Sequence, residues 1–181
     1  MLDGQTTTLR ERLRTETSAN HARVDALFST LDLTCVAALG KFLAAHRAGF
    51  AAMRAAGPLM TETIGHTLLT EMIDALDADL ARLRYHVPEL STQPVGSDAI
   101  DHIVLGSRLG TAVLRRQWSA ATDPEARAAS RYFSLPGQGA AWRAHTERLT
   151  SMPSDGPDAD AMIKETKSLY DLFERAFHGV A

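Results

Sequence analysis

The chain has 181 residues, of which 19 are basic and 22 acidic, so its formal net charge at pH 7 is −3. This length is enough to bury a substantial hydrophobic core, and we expect a single domain over residues 1–181. The small acidic excess, without long runs of one charge, argues against nucleic acid or a membrane surface as a partner.

Cysteine content and hydropathy indicate the cellular compartment. The single cysteine, Cys35, cannot form an internal disulfide, which suits a reducing cytosol. No apolar run approaches the ~18 residues that a membrane span needs, and the N-terminal residues lack the apolar core of a signal peptide. We therefore expect a cytoplasmic protein that does not bind membranes, with residues 1–7 flexible.

The sequence predicts an all-α fold, because helix-favouring residues dominate and alternating β-branched stretches are missing. Thr8 and Glu11 have the spacing of a capping box, and the first helix is expected to run from there to about Leu31. Ser97 is the predicted cap of the fourth helix. The other helices are predicted at about 34–56, 61–84, 97–121, from 123 to a break at 134–139, around 142, and at 159–178.

Two helices show clear buried faces at helical spacing. The residues expected inside are Leu9, Leu13, Thr17, Val24 and Phe28 in the first helix and Met162, Leu169, Leu172, Phe173 and Phe177 in the last. These faces predict that both terminal helices pack against the rest of the domain.

His21 lies on the apolar face of the first helix, four residues after Thr17. A histidine there is often a core residue with one satisfied nitrogen. Asp25 lies one turn later, however, where a carboxylate accepts the proton of the ring nitrogen that faces away from a metal and so fixes the tautomer. Arg14 lies two turns earlier, roughly 10 Å along the axis, and suits an acidic group at the rim of a cofactor centred near His21. Taken alone, Arg14 and Asp25 also fit ordinary solvated charges.

Multi-ligand metal centres fit the sequence poorly. No histidine and cysteine residues have zinc-like spacing, and the paired Glu-x-x-His motifs of a di-metal site are missing. The carboxylates and histidine at 98–102 fit helix capping and dipole effects at the start of a helix. One axial histidine with an otherwise open site therefore indicates haem.

The segment "IVLGSRLGTAVL" (103–114) carries Gly106 and Gly110 one turn apart on the same helical face. Each glycine in a helix interior costs roughly 1 kcal/mol relative to alanine. One explanation is a close helix–helix crossing between small residues. The other is a helix that kinks over a planar cofactor and offers it bare backbone.

Two segments together resemble a known family. "LRTETSANHARVD" (13–25) and "VLGSRLGTAVL" (104–114) are similar to the bacterial, biliverdin-producing haem oxygenases, notably the branch associated with bacteriophytochromes. The similarity continues through 131–149 and 165–177 in the family's order. It implies a haem-oxygenase-like multihelical fold, with haem between a proximal N-terminal helix and a kinked distal helix. The implied reaction is the opening of haem to biliverdin, carbon monoxide and ferrous iron with O2.

The resemblance also implies roles for residues on the proximal side. His21 matches the iron ligand and Asp25 matches a carboxylate partner for it. Arg14 matches a cation that binds a haem propionate, and Arg143, beside Trp142, is a weaker match to another. Because no G-x-G-x-x-G motif follows a strand, electrons are expected from an external ferredoxin or flavoprotein reductase.

On the distal side, Gly106 and Gly110 match the glycines that make room beside the iron, and Ser107 matches a polar position that helps order distal water. The sequence departs from the family at three nearby positions, with Leu105 in place of an acidic residue, Thr111 in place of a glycine and His102 in place of an aromatic residue. These departures leave two alternatives open. One is a haem carrier or sensor that has lost the chemistry, and the other is a helical protein whose glycines serve packing alone.

Overall fold

The computed structural model describes residues 7–58 and 63–180, and all regular secondary structure within them is helical, as predicted. The helices are α1 (Leu9–Phe28), α2 (Val36–Ala56), α3 (Ile64–Leu83), α4 (Ser97–Ser119), α5 (Pro124–Ala128), α6 (Arg131–Ser134), α7 (Gly139–Ser151) and α8 (Pro157–Gly179). None of these helices is long and apolar enough to cross a membrane. Of the seven N-terminal residues expected to be flexible, 1–6 lie outside the described residues.

The predicted capping box starts α1. The backbone N–H of Thr8 donates to Glu11 Oε2 at 2.9 Å, and the N–H of Glu11 donates to Thr8 Oγ1 at 3.2 Å. The helix ends at Phe28, earlier than the predicted Leu31. The Ser29 hydroxyl donates to the Asp25 carbonyl one turn back at 2.6 Å.

The start of α4 corrects a prediction. Ser97 is the first helical residue and not the cap, because Gly96 occupies the cap position without a side-chain bond. The N–H of Gly96 instead donates to Glu165 Oε2 at 2.9 Å, which ties this end of α4 to α8. The helix then continues without a break through both glycines, and the kink over a cofactor stays a prediction.

The remaining boundaries differ from the predictions by a few residues. Helix α2 starts at Val36 and not at 34, and the predicted start of α3 at 61 lies outside the described residues. Pro157, expected in a turn, is the first residue of α8, a position where its fixed φ favours a helix. The single helix predicted from 123 to a break at 134–139 is divided into two short helices, α5 and α6.

The hydrophobic residues form two clusters that hold α1 at both ends. Leu9 and Leu13 pack with Leu149 of α7 and Ile163 of α8 in the smaller cluster. Phe28, near the other end of α1, belongs to the main core, which α2, α3, α4 and α8 share. The predicted inner faces of α1 and α8 are buried as expected, except that Val24 is only partly buried. His21 therefore lies between two fixed points of α1. His21, expected on the apolar face of α1, is instead exposed, because its position lies at the edge of that face.

Helices α7 and α8 each contact both α1 and α4. On the side of α4 that faces the core, Arg108 is buried and donates to the carbonyl of Leu135 at 2.8 Å, with its guanidinium 5.2 Å from the centre of the Tyr132 ring. These contacts fix the position of α4 beside its two glycines.

His46 is a polar residue inside the aromatic part of the main core. Its ring centre lies 4.1 Å from that of Phe42 and 4.5 Å from that of Phe28. Nδ1 lies 2.9 Å from the Phe42 carbonyl, so this nitrogen carries the proton and donates it. Burial lowers the pKa of His46 to about 4, against the opposing effect of the Phe42 hydrogen bond, and the Arg108 charge lowers it further. The imidazole is therefore neutral near pH 7.

Candidate functional site

The structure contains the imidazole–carboxylate contact predicted on α1. Nδ1 of His21 lies 3.1 Å from Oδ2 of Asp25, and both side chains are more than half exposed. When Nδ1–H donates to a carboxylate, the lone pair of the neutral imidazole is on Nε2. That is the arrangement of a histidine poised to bind a metal through Nε2.

Tyr170 of α8 packs against His21, although sequence reasoning did not select it. The two rings meet edge to face at 90°, with centres 5.5 Å apart. Burial raises the pKa of Tyr170 to about 12, and the nearby Asp25 charge raises it further, so the phenol keeps its proton. Tyr170 therefore fixes one side of the His21 ring without adding a charge.

Helix α4 carries an apolar, partly bare surface that we call the glycine face, composed of Gly106, Leu109, Gly110 and Val113. These residues lie within about one third of the helix circumference, since they are spaced by three and four. Leu109 is 46 % exposed and Val113 is 67 % exposed, so two large aliphatic side chains lie uncovered one turn apart on the same helix face. The glycine face is therefore an apolar surface that the described residues cover only in part.

The two glycines have different surroundings. A Cβ atom built on Gly110 would have no neighbour within 4 Å from the described part of the chain. A Cβ on Gly106 would lie 3.3 Å from Cζ3 of Trp142. No close helix crossing therefore explains Gly110, whereas contact with an indole ring contributes to the preference for glycine at 106.

Two histidines and Trp142 form a cluster beside Gly106. Nδ1 of His102 lies 3.3 Å from Nε2 of His145 in α7. Burial lowers the pKa of His102 to about 3, and electrostatic repulsion from His145 and His21 in their protonated forms lowers it further. Burial and the Arg148 charge lower the pKa of His145 to about 4.

The other residues singled out on α4 are engaged within the helix or the core. The Ser107 hydroxyl donates to the Val104 carbonyl at 2.8 Å, and the Thr111 hydroxyl donates to the Ser107 carbonyl at 3.1 Å. Leu105 is buried and packs in the main core. The hydroxyls nearest the glycines are therefore bonded to their own helix, and each oxygen keeps acceptor capacity for a further donor.

Arg14 and Arg143 are both exposed, one on α1 and one on α7. Neither guanidinium makes a hydrogen bond or ion pair with a residue in the described part of the chain, whereas Arg12 pairs with Glu16 at 2.7 Å. Both guanidiniums are accordingly available to an anionic group, and no direct contact brings them together.

The residues present fit a haem in their chemistry. The groups present are the imidazole of His21, its carboxylate partner Asp25 and an apolar strip with bare backbone at Gly110. Within the described residues, no group of three or more His, Cys, Asp or Glu side chains could hold a metal ion by itself. Two surface depressions, of about 520 and 400 Å3, are not lined by His21 or the glycine face.

His102 was noted in the sequence as a departure from the family pattern, but its partner His145 was not. The two residues are far apart in sequence and meet only because α7 packs on α4. No spacing rule would have found that pair.

No protein-family model and no curated protein matches this sequence.

Proposed function

We propose that the protein binds haem between α1 and the glycine face of α4 and opens the porphyrin ring to biliverdin, carbon monoxide and ferrous iron. The proposal draws on the family resemblance and on one observation above all. His21 holds its Asp25 partner at 3.1 Å, and a Cβ atom built on Gly110 of α4 would have no neighbour within 4 Å among the described residues. A histidine prepared for a metal and an uncovered helix backbone suit a flat ligand between them.

Each residue has a definite task in this proposal. His21 binds the iron through Nε2, and Asp25 keeps the proton on Nδ1 and makes the ring a better donor. Gly110 lets the ligand approach the helix backbone. Arg14 and Arg143 neutralise the propionates at the rim.

When bound, haem supplies the redox-active iron and is also the molecule that O2 oxidises. The electrons come from an external donor such as a ferredoxin or a flavoprotein reductase. On the distal side, the proposed catalytic residues are Gly106, Ser107 and Gly110. Gly110 leaves room next to the iron, Gly106 lies at the end of the ligand that meets Trp142, and the Ser107 oxygen accepts a hydrogen bond from a distal water molecule.

A haem carrier or sensor is the second candidate, and a specific feature of α4 favours it. Leu105 is buried, and the hydroxyls of Ser107 and Thr111 already donate within the helix. The described part of α4 from 102 to 114 contains no carboxylate to order distal water. Such a protein would bind haem and release it intact.

Aerobic turnover of the haem-loaded protein separates the two candidates. Haem is added in equal amount and reduced with ascorbate or with a ferredoxin and its reductase, while spectra are recorded and carbon monoxide is trapped on deoxymyoglobin. We expect the haem bands to give way to those of biliverdin, with one carbon monoxide released per haem. A haem complex that survives several donors under O2 would contradict the oxygenase and support the carrier.

A further inference from the structure

The glycine face has one covered end and one open end. The indole of Trp142 lies beside Gly106, where a Cβ atom would be 3.3 Å from Cζ3 and 3.5 Å from Cη2. At Gly110, one turn further along α4, the same test finds no neighbour within 4 Å among the described residues. A flat ligand therefore reaches the helix backbone at Gly110 but meets an indole at Gly106.

The indole packs against the imidazoles of half-buried His102 and buried His145. The Trp142 ring centre lies 5.2 Å from that of His102 and 5.9 Å from that of His145. His102 and His145 share the hydrogen bond of 3.3 Å between them, and His145 is only 5 % exposed. Because each imidazole is neutral, one nitrogen of the pair donates and the other accepts without a buried charge. The indole thus packs against two imidazoles, one on α4 and one on α7, that are hydrogen-bonded to each other.

We propose that Trp142, supported by the His102–His145 pair, is a specificity-determining residue that sets how far a haem ring extends along the glycine face. This inference depends on the proposed function. The four meso carbons of haem differ little in reactivity, so the position of the ring decides which one lies beside α4. The indole displaces the ring toward Gly110 and so selects one orientation. Trp142 acts on the ligand by contact and takes no part in proton or electron transfer.

The test uses the full chain with ferric haem and cyanide, and it reads the haem methyl resonances by proton NMR. These paramagnetically shifted signals report the orientation of the ring without turnover. We expect one dominant set for the wild type, and for W142A a second set that accounts for at least about a third of the haem. W142F keeps a smaller ring and should give a lesser change in the same direction. H145Q, which alters the support beneath the indole, should also produce the second set.

The other tryptophan offers a matched control. Trp118 donates its indole N–H to the Ala126 carbonyl at 2.8 Å and stacks on Phe133, with ring centres 5.3 Å apart. It is not part of the glycine face, and W118F should give the wild-type methyl pattern. If the variants turn haem over, chromatography of the biliverdin isomers should show a mixture for W142A and one main isomer for W118F.

Each result decides between the two proposals. Wild-type methyl patterns in both W142A and W142F would overturn this inference and leave the proposed function standing. Loss of haem binding in both variants, with a wild-type circular dichroism spectrum, would also overturn it, because Trp142 would then serve binding and not position. If W142A does not fold, W142F decides. A wild-type protein that binds no haem overturns the proposed function as well.

Discussion

Nδ1 of His21 and Oδ2 of Asp25 are 3.1 Å apart, one helical turn from each other on α1. This contact directs the lone pair of the neutral ring to Nε2, and it depends on no residue outside the helix. If His21 binds haem iron, Asp25 strengthens that bond, since the carboxylate makes the imidazole a better donor.

D25N should therefore weaken haem binding. Partners of this kind typically contribute 10- to 100-fold in metal affinity, and we expect about tenfold here because water reaches both side chains. Haem titration followed at the Soret band measures the change. The control is D74N, which alters an exposed aspartate of α3. Equal affinities for D25N and the wild type would show that the contact plays no part in ligand binding.

We expect Gly110 to lower the stability of the haem-free protein and to let haem approach the backbone of α4. G110A is expected to raise the free energy of unfolding of the haem-free protein by about 0.5–1 kcal/mol, since alanine favours the helix and its Cβ meets open space. G110L, whose side chain would cover the glycine face, should lower haem affinity at least about tenfold, or about 1.4 kcal/mol. Urea unfolding and haem titration measure the two effects.

A control for this pair is G179A at the end of α8, where a Cβ would make an ordinary contact with Pro88 at 3.8 Å. It should leave haem affinity unchanged. If G110L binds haem as tightly as the wild type does, the ligand does not lie on the glycine face.

Arg14 and Arg143 should each contribute modestly to haem binding. R14Q and R143Q are expected to lower the affinity about 1.5- to 5-fold each, the range for solvent-exposed ion pairs worth about 0.2–1 kcal/mol. The losses should shrink at high salt. R10Q, at another exposed arginine of α1, is the matched control. Losses of the same size in R10Q would mean that only the overall charge matters.

The buried imidazole of His46 predicts a pH dependence of stability. Its pKa of about 4 in the folded chain lies below the ordinary 6.5, so the unfolded chain binds more protons between these values. Stability from this group is present above pH 6.5 and falls as the pH drops toward 4, by up to about 1.4 kcal/mol per pH unit. His102 and His145 act in the same direction.

H46Q removes the titrating group and should flatten the slope of unfolding free energy between pH 6.5 and 4, whatever its effect at pH 7. H86Q, at an exposed histidine, should retain the wild-type slope. Urea titrations across that range provide the measurement. A slope in H46Q as steep as in the wild type would contradict the assignment of His46 as a neutral buried group.

What the sequence predicts correctly is mostly local. The Thr8–Glu11 capping box and the His21–Asp25 contact each lie within one helical turn, so spacing alone indicates them. The amphipathic face of α8 follows in the same way from its periodicity.

The errors and omissions arise from contacts between distant parts of the chain. Ser97 is not the cap of α4, because Glu165 of α8 binds the N–H of Gly96. Tyr170 reaches His21 only because α8 packs along α1. The contact between Trp142 and Gly106 likewise forms only because α7 packs against α4. Such contacts need the tertiary fold and leave no periodic signal in the sequence.

The central claim is that His21 binds the iron of haem, and H21A tests it most directly. Ferric haem titrated into the wild type should give a shifted Soret band at one haem per chain, and the ferrous complex should show an iron–imidazole stretch by resonance Raman. H21A should lose that stretch and regain a five- or six-coordinate spectrum when free imidazole is added. An H21A complex with the wild-type stretch, or a wild type that gives no Soret shift, would contradict the account.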